Sequence, residues 1–141
     1  MSAELDRFTP DGKAKLVKDL QDFNAALWSL ISCDNILNPE RYSEKNAVEM
    51  LNGIGFNFKE REFLEVGERI YNLTRLFNVR EGFSSKDDTL PERFREIQEE
   101  TKWKISQKDF DKMLAEYYSL RGWDSNGKPK KETLDRLDLI F

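Results

Sequence analysis

The chain of 141 residues contains no histidine, one cysteine, four prolines and seven glycines. Without histidine there is no Ser-His-Asp triad, no Cys-His dyad and no imidazole ligand for a metal. Any chemistry done by these residues alone must use carboxylates, lysine, tyrosine or the single thiol. One cysteine cannot close an internal disulfide, and nothing near Met1 reads as a secretory leader, so a reducing, cytoplasmic setting is expected. The Asn72-Leu73-Thr74 sequon is then without meaning. No apolar run approaches the roughly 18 residues that would span a bilayer, so no membrane partner is expected.

Excess positive charge is also lacking. Lys plus Arg number 23 against 27 Asp plus Glu, a net charge of -4. That is the wrong sign for neutralising phosphates, so nucleic acid is not expected as a partner. What the chain does have is 38% hydrophobic and 12% aromatic residues, enough to bury a core despite 35% charge. The length is that of one domain, and residues 1–141 are read as a single helical unit. Residues 1–8 precede any start signal and are expected to be disordered.

Hydrophobic periodicity is helical throughout. Thr9 and Pro10 suit an N-cap and a first helical position. After them Leu16, Leu20, Phe23, Leu27 and Leu30 recur at spacings of four and three, predicting a helix of about 22 residues that ends near Cys33. Asn38-Pro39 and Ser43 are further cap signals, and a short helix carrying Ala47, Val48 and Leu51 should close at Asn52-Gly53. Gly53 to Phe58 reads as a turn with aromatic anchors. From Lys59 to Arg80 the pattern is strongest: Phe63, Gly67, Ile70, Thr74 and Phe77 share a face, with Val66, Leu73 and Leu76 beside them. A glycine inside such a face costs about 1 kcal/mol against alanine, so Gly67 points to a close approach by another element. A helix opening near Pro91 should turn Phe94 and Ile97 inward, and Trp103 and Ile105 should tether the charged stretch from Glu96 to Lys104. Ser106 caps a further helix with Phe110, Met113, Leu114, Tyr117 and Leu120, stopped by Gly122. Pro129 opens a last short helix with Leu134 and Leu137 inward. With no convincing strand pattern, the expected fold is all-α, a multi-helix domain of about five or six helices.

Few residues offer chemistry. Asp87-Asp88 could bind a divalent cation or share a proton, but adjacent carboxylates without a third ligand at fixed spacing favour turn and cap chemistry. Glu68-Arg69, Arg75 and Arg80-Glu81 could clamp an anion, and an ion-paired helix face is favoured over that. Tyr117, Tyr118 and Trp123 favour packing over a stacking platform. Cys33 falls at the electronegative end of its helix, which does nothing to lower a thiol pKa. From the residues alone it reads as a small buried side chain.

Three blocks of sequence resemble a known family. They are Val66-Gly67-Glu68-Arg69-Ile70-Tyr71-Asn72-Leu73-Thr74-Arg75-Leu76-Phe77-Asn78-Val79-Arg80-Glu81-Gly82-Phe83, Lys86-Asp87-Asp88-Thr89-Leu90-Pro91-Glu92-Arg93-Phe94, and Met113-Leu114-Ala115-Glu116-Tyr117-Tyr118-Ser119-Leu120-Arg121-Gly122-Trp123-Asp124, the last followed by Gly127-Lys128-Pro129. With Gly12-Lys13-Ala14 and Lys18-Asp19-Leu20-Gln21-Asp22 upstream, they resemble the C-terminal part of the tungsten-dependent aldehyde ferredoxin oxidoreductases over nearly the whole chain. The resemblance implies a fragment of a longer enzyme that oxidises aldehydes at a tungsten-bis-pterin centre and passes electrons through a [4Fe-4S] cluster to ferredoxin. It also implies that the other domains of that enzyme are partners and that the family's acid-base Glu and His lie upstream, leaving no catalytic residue here. Cys33 matches the fourth, distant cysteine ligand of the cluster, so it is the one cofactor-binding and metal-ligating candidate. No cofactor is expected on the isolated fragment. The family segment reads D-x-x-G-L-C, and here Trp28 stands for the Asp, Ile31 for the Gly and Ser32 for the Leu. A cofactor-free helical interaction module that kept the fold and lost the redox site is therefore the alternative.

Overall fold

The computed structural model describes residues 6–31 and 43–139. Five α-helices are present among them: α1 (Lys13–Trp28), α2 (Glu44–Gly53), α3 (Glu60–Arg80), α4 (Gln107–Arg121) and α5 (Lys131–Arg136). Among the described residues the only extended pairing is an isolated bridge between Trp123 and Pro129. The fold is all-α, and α1 packs against α3 and α4 while α2 packs against α3.

Several boundaries follow from local chemistry. The Ser43 hydroxyl accepts the Asn46 N–H at 3.2 Å to start α2, and Ser106 accepts the Asp109 N–H at 3.1 Å to start α4. Asn52 accepts from the Phe58 N–H at 2.8 Å and donates to the Phe58 carbonyl at 3.0 Å, closing the turn between α2 and α3. Gly122 ends α4 with φ 68°, and the Trp123 N–H reaches back to the Tyr118 carbonyl at 2.8 Å.

The start of α1 differs from expectation. The helix begins at Lys13, with Gly12 as N-cap at φ 75°, and Thr9 accepts the Asp11 N–H in a separate turn. The left-handed glycine breaks the run that Thr9-Pro10 would have begun. The helix has 16 residues and ends at Trp28, shorter than its leucine spacing suggested.

The core lies where α1, α2 and α3 meet, with Ala26, Ala47, Val48, Leu51 and Phe63 buried and Phe23 and Phe58 packed against them. Phe23 and Phe63 meet edge to face with centroids 6.4 Å apart. At the crossing of α1 and α3, Gly67 lies so near α1 that a Cβ would fall 1.8 Å from the Asp22 carbonyl oxygen. The close approach read from the sequence is therefore present. Around this crossing α1 buries Asp22, Ala25 and Ala26, while Leu16 and Leu20 are only half-buried.

The second half of α3 departs from its apolar pattern. Asn72 and Arg75 are buried, whereas Leu73, Thr74 and Phe77 are exposed. Polar residues turn inward because their partners wait there. The Asn72 carbonyl Oδ1 accepts Trp123 Nε1–H at 2.8 Å, and Arg75 Nε donates to the Gly127 carbonyl at 2.7 Å.

Between α3 and α4 the only helical element is a 3-10 turn, Glu92–Arg95, which ends in extended backbone at Glu96. Phe94 and Ile97 are exposed rather than inward, since four residues cannot form an amphipathic face. Trp103 does tether this stretch, packing on Phe8 with centroids 5.6 Å apart. Of residues 1–8, expected to be disordered, Phe8 is thus packed and residues 1–5 lie outside the described residues. Leu137 is fully buried at the end of α5 and Leu134 half-buried. No helix among the described residues is long and apolar enough to cross a membrane.

Candidate functional site

The segment toward Cys33 leaves α1 through a tight turn. The Leu30 N–H bonds to the Leu27 carbonyl at 3.0 Å and the Ile31 N–H to the Trp28 carbonyl at 2.9 Å. Ile31 then adopts φ 59°, in the left-handed region where β-branched residues are strained and glycine is not. Its side chain is 97% exposed, and Trp28 and Leu30 beside it are also exposed. Cys33 itself lies outside the described residues, as do Ser32 and the Asn38-Pro39 cap signal. Among the described residues no three Cys, Asp or Glu side chains are grouped to hold a metal ion.

The other candidates are engaged with one another. Asp87 accepts the Ser84 N–H at 2.8 Å as a turn cap, while Asp88 receives both Arg75 amino groups, at 2.9 and 2.5 Å, and the Tyr118 hydroxyl. Burial acts to raise the Asp88 carboxyl, but the hydrogen bonds from Arg75 and Tyr118 and the Arg75 charge outweigh it and leave the group below the usual aspartate value. Burial, together with the Asp88 carboxylate, pushes the Tyr118 hydroxyl far above its usual value. Glu68 takes a two-pronged bond from Arg136 at 2.7 and 3.1 Å, Arg69 donates to the Leu137 carbonyl at 2.8 Å, and Arg80 pairs with Glu81. The guanidinium groups are thus spent within the fold, as an ion-paired helix face requires. Tyr117 and Tyr118 pack on the buried Trp123 with centroids 5.6 and 5.7 Å away, and Arg75 lies 4.8 Å over the indole.

One cluster escaped sequence reasoning. Asp22 on α1 and Arg121 at the end of α4 form a buried ion pair. Arg121 also donates to the Gln21 side chain at 2.8 Å and the Tyr117 hydroxyl at 3.0 Å, and lies 4.6 Å over the Tyr71 ring. Lys18 adds a second cation on Asp22 at 2.8 Å. The one visible signal was Lys18 four residues before Asp22, a spacing that is usually a surface pair.

Beside this cluster, α1, α3, α4 and the loop at 87–89 line an open cleft of about 540 Å³. Its lining includes the polar Lys13, Gln21, Tyr71 and Asn78 and the apolar Val17, Met113 and Leu114.

Comparison with known proteins gives a consistent picture. Residues 1–139 match the family described as aldehyde ferredoxin oxidoreductase, domains 2 and 3. The tungsten-containing aldehyde ferredoxin oxidoreductase of Pyrococcus furiosus is 36% identical over 132 residues, covering 92% of this chain and 22% of the relative. That of Thermococcus kodakarensis is 33% identical with the same coverage of both chains. Among solved structures, the active site complex BamBC of benzoyl coenzyme A reductase, in complex with 1,5-dienoyl-CoA, superposes with a TM-score of 0.77 at 25% identity, covering 99% of this chain and 21% of that one. The chain spans about a fifth of the length of these relatives.

Proposed function

Because the chain belongs to the aldehyde ferredoxin oxidoreductase family, in the part described as its domains 2 and 3, we propose that it is the helical C-terminal portion of a tungsten-dependent aldehyde-oxidising enzyme. In that setting an aldehyde and water give a carboxylic acid, two protons and two electrons, and ferredoxin receives the electrons one at a time. The remaining domains of the enzyme are this chain's partners, and Cys33 is its contribution to a [4Fe-4S] cluster.

The match over residues 1–139 carries this reading. The local backbone supports it too. Ile31 stands where the family pattern has glycine, and it keeps a φ of 59° that glycine adopts without cost. The chain's own donor set does not fit the cluster. Such a cluster takes about four thiolates and this chain has one cysteine, so any further ligands must come from outside it. Trp28 at the family's Asp position offers one N–H donor and no carboxylate, so it cannot accept hydrogen bonds as that Asp does. The loss of that carboxylate, and of the glycine itself at position 31, favours the second reading, a cofactor-free helical module, although the backbone at 31 keeps the glycine-like conformation.

Thiol labelling of the native chain separates the two readings. Rapid reaction of Cys33 with a disulfide reagent is expected of a cluster ligand lying bare without its partners, whereas protection until unfolding supports the cofactor-free module.

A further inference from the structure

The cleft between α1, α3 and α4 has features that packing alone does not require. Lys13, Val17 and Gln21 follow at intervals of four residues on one stripe of α1, spanning about 12 Å of helix axis. Arg121 donates to Gln21 at 2.8 Å and lies 4.6 Å over the Tyr71 ring, which brings Gln21 and Tyr71 together at one end of the cleft. Lys13 and Asn78 lie about two helical turns from that end along α1 and α3, and Val17, Met113 and Leu114 also line the cleft.

Both ends carry donors without acceptors. Gln21 Oε1 receives the Tyr117 hydroxyl at 2.6 Å and an Arg121 amino group at 2.8 Å. Arg121 can only donate, so the amide is fixed with its oxygen toward those partners and its Nε2–H₂ turned from them. Among the described residues that Nε2, the Tyr71 hydroxyl and the Asn78 side chain make no hydrogen bond, and Lys13 makes no ion pair. Of the two carboxylates on the lining, Asp88 is neutralised by Arg75 and Asp87 is turned into its own loop by the Ser84 N–H. The volume falls within the range of roughly 300–1,000 Å³ typical of small-molecule sites.

We propose that this cleft binds an elongated apolar carboxylate with an acceptor oxygen at its far end. The carboxylate meets the Lys13 ammonium and the Asn78 amide, the hydrocarbon lies along Val17, Met113 and Leu114, and the far oxygen accepts from Gln21 Nε2 and the Tyr71 hydroxyl. An eight-carbon chain is the probe length chosen for a stripe of about 12 Å.

Calorimetric titration of the chain with 8-hydroxyoctanoate, octanoate and octan-1-ol tests this. Saturable binding of 8-hydroxyoctanoate below about 1 mM is expected, with octanoate several-fold weaker and octan-1-ol weakest. Lys13→Met should weaken both acids about tenfold, as loss of a charge-assisted bond does. Tyr71→Phe should weaken only the hydroxy acid, and Val17→Trp, on an exposed position, should block the cleft without unfolding α1, checked by circular dichroism. No saturable binding up to about 10 mM overturns the proposal. So does octan-1-ol binding as tightly as octanoate, or affinity for the acids unchanged in folded Lys13→Met and Val17→Trp.

Discussion

The Arg121 guanidinium is wholly buried and bound to Asp22, 99 positions earlier in the chain. The pair joins the end of α4 to the middle of α1, beside the point where Gly67 brings α3 against the same residue. Three helices therefore converge on Asp22. Removing Arg121 leaves the buried Asp22 carboxylate with Lys18 as its remaining cation, so the cost falls at the low end of the about 3–5 kcal/mol for a broken buried pair. Arg121→Met is expected to lower unfolding free energy by that amount in urea titrations. Arg121→Met with Asp22→Leu should cost less than the sum of the singles, because the buried carboxylate is gone and the Lys18 ammonium left behind is partly exposed.

Gly67 is held by sterics rather than by charge. Its added Cβ would meet backbone atoms of Asp22, which cannot swing aside like a flexible side chain. Gly67→Ala should destabilise by about 3 kcal/mol despite the better helix propensity of alanine, since α1 and α3 must separate. A stability equal to the parent chain would show that the helices are not in this contact.

Ile31 gives a prediction of opposite sign. A β-branched side chain in the left-handed region costs about 1–2 kcal/mol, and this one buries almost nothing in return. Part of the gain from glycine is offset by greater freedom in the unfolded chain. Ile31→Gly should therefore raise stability by about 0.5–1 kcal/mol, measurable as a higher urea midpoint. A lower midpoint would mean that Ile31 makes contacts it does not show.

Acid should loosen the contacts of α3 with α4 and α5. The folded carboxyls of Asp88 and Glu68 sit below their ordinary values of 3.8 and 4.5. As pH falls through those values the unfolded chain takes up protons first, so the stability present above about pH 5 declines and is lost once the folded groups also protonate. Urea midpoints at pH 6, 4 and 3 should fall in that order. Asp88→Asn should flatten the decline, while a decline unchanged in that variant would assign it to other carboxylates.

Local signals were legible in the sequence and long-range ones were not. Ser43, Ser106 and Gly122 act on their own neighbours, and α3 begins and ends within a residue of its periodic run. Gly67 also announced a close approach, though not the identity of Asp22. The inward turn of Asn72 and Arg75 was hidden because their partners, Trp123, Asp88 and Gly127, stand 13 to 52 positions away. A separation of 99 positions likewise concealed the pair of Asp22 and Arg121. The cleft was invisible for another reason: Lys13, Val17 and Gln21 read as an ordinary helix face until α3 and α4 wall it in. Cys33, the one site residue assigned by resemblance, stands outside the described residues, so its role rests on the family relationship.

That role is tested most directly by metal content. The chain should be produced joined to the upstream domains of a tungsten-containing relative, with and without Cys33→Ser, and iron measured per polypeptide by mass spectrometry. About four irons in the parent fusion, lost together with the cluster's visible absorption in Cys33→Ser, is the predicted result. A folded Cys33→Ser fusion that holds its iron as well as the parent fusion would contradict the assignment of this thiol to the cluster.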